Sequence, residues 1–157
     1  MKRLLFILTL FVLCTTLFAQ KVYKGNSSYA SDIICNLKDG KVYKGNSSYS
    51  SDILCNIRNG KIYKKNSSYS SDVIWTIRDG KVYKGTSTYT SDIIFTIRNG
   101  KIYKGTSTYN RDIIANVKDG KVRTGTSSYN SDILFHYDGN LTLVEFLAVY
   151  YTVMYVW

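Results

Sequence analysis

The side chains able to do chemistry in this sequence come at fixed intervals. His136 is the single histidine, so acid–base or nucleophilic chemistry built on an imidazole would have to run through it. It stands, however, in a column otherwise held by Asn36, Asn56, Thr76, Thr96 and Asn116. Those residues share the ability to make a side-chain hydrogen bond between strands, and that role is expected of His136. A second column, Asp32, Asp52, Asp72, Asp92, Asp112 and Asp132, supplies one carboxylate per interval, whereas calcium wants about six to eight oxygens. These aspartates are expected to satisfy local backbone N–H groups in turns. No catalytic residue, metal or cofactor is expected.

Two other columns bear on binding. Tyr29, Tyr49, Tyr69, Tyr89, Tyr109 and Tyr129 each lie in a Ser/Thr-rich stretch. Aromatic rings beside hydroxyls can stack on sugars, which makes Tyr49, Tyr69, Tyr89 and Tyr109 candidate glycan-stacking residues, but the same rings can fold over a barrel mouth, and that covering role is the one expected. The second set is basic. Lys21, Lys41, Lys61, Lys81, Lys101 and Lys121 flank Asx-Gly dipeptides together with Lys38, Arg58, Arg78, Arg98 and Lys118, so that eleven cations face Asp39, Asp79, Asp119 and Asp138, a net of +7. Lys41, Arg58, Lys61, Arg78, Lys81, Arg98 and Lys101 are the candidate anion-binding residues of this rim. Its partner would be an anionic envelope glycan or lipid headgroup. Nucleic acid is not expected, because the cations line a rim and no helix is placed to enter a groove.

The unit that carries these columns is KVYKGTSTYTSDIIFTIRNG, Lys81 to Gly100, one of six uninterrupted twenty-residue copies between Lys21 and Asn140. Each copy holds two short runs rich in β-branched and aromatic residues, here Lys81–Gly85 and Ile93–Arg98, which read as strands. Asn99-Gly100, Asp39-Gly40, Asn59-Gly60, Asp79-Gly80 and Asp119-Gly120 suit the positive-φ positions of tight hairpin turns. Twelve strands in an open meander would leave two bare edges, so closure into an antiparallel barrel is expected. The register stays open between two alternatives. A two-residue turn at Asp79-Gly80 pairs Ile77 with Val82 and sets Lys84 on the face of Trp75, while a three-residue turn with a bulge at Gly80 puts Tyr83 beside Trp75.

One inward position differs in size from copy to copy: Cys35, Cys55, Trp75, Phe95, Ala115 and Phe135. Alternation places Val73, Trp75 and Ile77 on one face. Such irregular sizes imply contact with something asymmetric, and the tail Leu141 to Trp157, LTLVEFLAVYYTVMYVW, is the candidate. Thr142 with Glu145 forms a capping-box pattern, and no turn residue divides the segment, so it reads as a helix that is apolar on every side. A ring of twelve strands leaves a bore of roughly 10 Å, the width of one helix. The tail is therefore expected to plug the barrel. Cys35 and Cys55 occupy equivalent places two strands apart, roughly 9.5 Å, beyond the ~7 Å limit of a disulfide, and read as small core residues.

Residues 1–19 have the pattern of an export signal: Lys2 and Arg3, an apolar run from Leu4 to Leu13, and Ala19 before a cut at Gln20. Cys14 raises lipidation, against which Leu13 stands as too bulky. One domain, 20–157, follows, with repeats over 21–140 and the plug over 141–157. Proline is absent, and no linker is evident. The strands carry Lys or Arg near both ends and fall short of the ~9–11 residues of a membrane strand, so no transmembrane span is expected in the exported chain.

The Y-x-G and DG punctuation of short hairpin repeats, followed by an apolar C-terminal helix, resembles the β-flower group of bacterial repeat proteins. In architecture it is also similar to the tubby C-terminal domain, a twelve-stranded barrel around a hydrophobic helix. The β-flower resemblance implies no established activity. Tubby domains bind phosphoinositide headgroups, but none of their binding residues has a match in this sequence. The expected function is an exported, non-catalytic barrel with a scaffold or binding role in the cell envelope. The alternative is a self-assembling or membrane-anchored protein that uses its apolar C-terminal segment.

Overall fold

The computed structural model describes residues 19–157. The export signal of residues 1–19 and the lipidation of Cys14 lie, apart from Ala19, outside the described residues.

Twelve strands close into one antiparallel barrel: β1 Gln20–Lys24, β2 Ile33–Lys38, β3 Lys41–Lys44, β4 Ile53–Arg58, β5 Lys61–Lys64, β6 Val73–Arg78, β7 Lys81–Lys84, β8 Ile93–Arg98, β9 Lys101–Lys104, β10 Ile113–Lys118, β11 Lys121–Thr124 and β12 Ile133–Tyr137. Closure comes from β1 pairing with β12, where Tyr23 faces His136 and Val22 faces Tyr137. Each of the twelve described strands is paired on both sides, which lets strands only 4–6 residues long satisfy their backbone groups.

The hairpin turns set the register. Asp39, Asn59, Asp79, Asn99 and Asp119 have φ of 49–53°, and the glycines that follow have φ of 68–70°. Positive φ at both central positions defines the type I′ turn, whose twist matches that of the flanking strands. Gly100 is further constrained, since a Cβ there would lie 2.8 Å from the Val117 carbonyl oxygen. Of the two registers open from sequence, the two-residue turn is the one formed: Ile77 pairs with Val82 and Trp75 with Lys84.

The irregularity falls at the other side of the strand. Val82 pairs with Phe95 but Tyr83 pairs with Ile93, a bulge at Ile94, and the same shift recurs between the two strands of each of the other five copies. A bulge lets two consecutive side chains turn the same way. Ile74 therefore joins Trp75 and Ile77 at the barrel core, whereas Val73, only 8% exposed, is buried outside it. This corrects the simple alternation of Val73, Trp75 and Ile77. Lys84 lies at the end of its strand and reaches solvent.

The tail is a helix inside the ring: α1, Leu143–Tyr151, continuing as a π-helical turn over Thr152–Val156. Its capping box forms as read, with Thr142 N–H donating to Glu145 Oε2 at 2.9 Å and Glu145 N–H to Thr142 Oγ1 at 3.4 Å. Phe146 through Tyr150 and Thr152 are buried. Tyr137, at the end of β12, meets Phe146 at 6.2 Å between ring centroids, so the helix enters at the turn rim. It leaves at the loop rim, where Tyr155 meets Trp75 at 5.7 Å.

The variable inward column is the imprint of this helix. It lies nearest β2, β4 and β5, and there the wall is cysteine: Cys55 Sγ is 3.7 Å from the Ala148 carbonyl and 3.6 Å from Thr152 Oγ1. Elsewhere large rings meet large rings, Phe95 with Tyr150 at 6.1 Å and Trp75 with Tyr151 at 5.2 Å, edge to face. Both cysteines are free and buried, as their spacing required.

Candidate functional site: a basic rim

At the turn rim the register brings cations into direct opposition. Lys38 faces Lys41, Arg58 faces Lys61, Arg78 faces Lys81, Arg98 faces Lys101 and Lys118 faces Lys121. Each pair is one step from an inward pair such as Ile77 and Val82, so it lies on the outer face. Like charges directly opposite each other destabilise a sheet. Relief is slight: among the described residues one ion pair lies at this rim, Arg78 Nε to Asp79 Oδ2 at 3.9 Å, with side chains 57% and 89% exposed. Arg78 also sits over the Tyr83 ring at 5.7 Å, which holds its guanidinium against the barrel wall. All seven rim residues singled out in the sequence fall at this one end.

The loop rim is built differently. In each loop a serine caps the backbone, with Tyr49 N–H donating to Ser47 Oγ at 3.1 Å while Ser47 Oγ–H donates to Asp52. The aspartate thus orients the serine rather than binding backbone N–H itself, and the same Ser–Asp pair recurs in the other five loops. Two hydroxyls, Ser127 and then Ser131, hold the Asp132 carboxyl below its usual range. The tyrosines do not cover the mouth: Tyr29, Tyr49, Tyr69, Tyr89, Tyr109 and Tyr129 are 68–74% exposed. The reason is that the helix already fills the bore, so the rings have no apolar opening to close. Arg111 lies over one face of Tyr109 at 5.4 Å. Each candidate stacking ring stands in its own loop, about 12 Å from the next at two strand spacings around a tilted ring.

His136 has the structural role expected of its column. Its Nδ1 lies 2.9 Å from the Gly25 carbonyl, and its ring stacks on Tyr23 at 5.0 Å. Asn36, Asn56 and Asn116 make the corresponding bonds to Gly45, Lys65 and Gly125, and Thr76 and Thr96 to Gly85 and Gly105. Among the described residues no group of three or more His, Cys, Asp or Glu side chains is placed to hold a metal.

Three features escaped the sequence reading. Met154, Tyr155, Val156 and Trp157 emerge from the barrel, 42–64% exposed; the apolar pattern marked them as core because periodicity carries no signal for where a bore ends. Lys65 occupies a positive-φ site, 48°, that glycine fills in the other five copies. Arg123 stands in a column otherwise reading Tyr23, Tyr43, Tyr63, Tyr83 and Tyr103. It is 9% exposed, and its Nε has no hydrogen-bond partner. That break in the column was visible in the sequence; its burial was not.

No curated protein and no solved structure matches the chain. The model of the family described as 6-fold beta flower protein matches residues 16–155. With six hairpins closed around a central helix and that match spanning nearly the whole chain, this protein belongs to the 6-fold beta flower protein family.

Proposed function

We propose that the protein is an exported, non-catalytic binding barrel of the cell envelope, whose turn rim holds a surface of repeated anionic groups, on a glycan or on lipid headgroups. The observation that carries this reading is the set of five like-charged cross-strand pairs from Lys38–Lys41 to Lys118–Lys121. Repulsion between facing cations costs stability in the free protein. An anionic polymer or headgroup layer laid on the rim reverses that cost and gains from many weak contacts at once. The non-catalytic part of the reading is supported by His136, whose Nδ1 is committed to Gly25.

The test is retention on an immobilised sulfated polysaccharide and on vesicles containing anionic lipid, at low and at high salt. Retention should fall steeply with salt, because the Debye length shrinks from about 10 Å at 0.1 M to about 3 Å at 1 M. Replacing Arg58, Arg78 and Arg98 by serine should abolish it. Binding to the polysaccharide alone would identify a glycan, to vesicles alone a headgroup layer; binding to neither overturns the reading.

A second reading is favoured by a separate observation, the exposed Tyr155 and Trp157 at the loop rim, 59% and 64% accessible. Barrels associating through this end would bury both rings. Concentration-dependent sedimentation that disappears on replacing Trp157 by serine would support it.

A further inference from the structure

The six outer grooves of the barrel are equivalent except for one. In each, a lysine, a hydrogen-bonding residue and an aromatic line up across three adjacent strands, as Lys81, Thr96 and Tyr103 do. In the fifth groove the row is Lys101, Asn116 and Arg123. A guanidinium there replaces the phenol ring of the other copies.

Arg123 has the attributes of an anion receptor whose partner is not found among the described residues. It is nine-tenths buried, and a side chain so placed is normally paired. Yet no carboxylate pairs with it among the described residues, and its Nε is a buried donor without an acceptor. The side chain lines a cavity of about 500 Å³ together with Lys101, Lys118, Asn116, Thr126 and Ser128. Three cations line the cavity against one acid, Asp119. Asn116 donates from Nδ2 to the Gly125 and Ser127 carbonyls at 2.8 and 3.0 Å, which fixes the loop wall beside the guanidinium.

We infer that this groove is a binding site for a compact oxyanion, a phosphate or sulfate group, either free or as the terminal group of a larger molecule. The planar guanidinium offers parallel N–H donors matched to two oxygens of such a group. Lys101 and Lys118 add charge in the same cavity, and the volume leaves room for the remainder of a small phosphorylated or sulfated molecule. The site borders the basic rim but does not require the polymer reading: the rim pairs recur around the barrel, whereas the buried arginine occurs once.

The variant Arg123→Tyr is the informative one, because five other copies fold with tyrosine at that place. Inorganic phosphate and sulfate are titrated into the protein with calorimetry and amide-shift mapping. The native protein should bind, with shifts at Asn116, Arg123 and Ser128; Arg123→Tyr should melt no lower and lose affinity at least tenfold. Arg123→Lys, which keeps the charge but loses the fork, should fall between. Arg58→Ser should leave phosphate binding unchanged while weakening polysaccharide retention, so that failure of one proposal is distinguishable from failure of the other. A phosphorylated sugar that binds more tightly than inorganic phosphate would mark the group as part of a larger ligand; equal affinity would mark the free ion. Equal binding by the native protein and Arg123→Tyr, or no binding by the native protein, overturns the assignment.

Discussion

The Nδ1–H of His136 donates to the carbonyl of Gly25 at 2.9 Å, joining residues 111 positions apart in sequence. A carbonyl can only accept, so this nitrogen carries the ring proton. The bond repeats, at the seam where the last copy meets the first, a contact that the other copies make with Asn or Thr. Replacement of His136 by Asn should therefore be close to neutral, whereas Ala should cost about 0.5–1.5 kcal/mol through the lost bond, with part of the Tyr23 stacking lost besides. Urea midpoints of the two variants check this; equal loss in both would show that the stack, not the bond, holds the seam.

Lys65 offers a gain instead of a loss. At φ 48° it occupies a left-handed conformation, while its backbone N–H still reaches the Leu54 carbonyl at 3.0 Å. Lys65→Gly should stabilise the protein by about 0.5–1 kcal/mol, the relief of left-handed strain minus the added chain entropy of glycine. A lower melting temperature in the variant would contradict this.

The buried thiols predict alkaline sensitivity. Burial, partly offset by the Thr152 hydroxyl, pushes Cys55 up to about 12, and burial together with the nearby Cys55 raises Cys35 as well. An acid whose folded pKa lies above its unfolded value gives up its proton first in the unfolded chain. The stability it contributes is thus complete below the unfolded thiol range near pH 8.5 and is lost as pH rises toward the folded value. The expected loss is about 1.4 kcal/mol per pH unit for each thiol within that window. Between about pH 9 and 10, below the ordinary tyrosine range, the native protein should lose stability faster than the Cys35→Ala, Cys55→Ala double variant. Identical slopes would mean that the thiols are hydrated.

Two truncations separate the plug from the protruding end. Stopping at Asn140 removes Phe146, Leu147, Val149 and Tyr150, each 0–6% exposed. At roughly 1.5–3 kcal/mol per large buried side chain, that loss is comparable with the ~5–15 kcal/mol stability of a domain. The shortened chain should aggregate or stay unfolded. Stopping after Thr152 removes mainly the exposed Met154, Tyr155, Val156 and Trp157, and should leave a cooperatively melting barrel. A folded Asn140 truncation would show that the ring stands without its helix.

Local chemistry explains what was readable in advance. Asx-Gly pairs adopt positive φ almost wherever they occur between strand-forming runs, a twenty-residue period multiplies that signal six times, and Thr142 with Glu145 caps a helix by its own side chains. The mismatch of Cys35, Cys55, Trp75 and Phe95 with six-fold symmetry was likewise legible as the trace of an asymmetric filler, which the helix proved to be. The basic rim followed from the spacing of lysine and arginine about each turn.

Other features depend on which atoms closure brings together, and a linear pattern does not encode that. The bulge at Ile94 and its equivalents is fixed by the loop joining the two strands of one copy, and it reverses the facing of Val73 against simple alternation. The exposure of the loop tyrosines follows from the bore being already filled. Arg123 shows the same division within one residue: its departure from the tyrosine column is written in the chain, but its burial beside Lys101 and Asn116 exists only once β9, β10 and β11 lie side by side. Repetition alone determined the turns, the strand count and the distribution of charge, because each is settled within a few residues. Tertiary structure decided which side chains face inward, where the helix ends its burial and which arginine is left without a partner, because each depends on packing between residues distant in sequence.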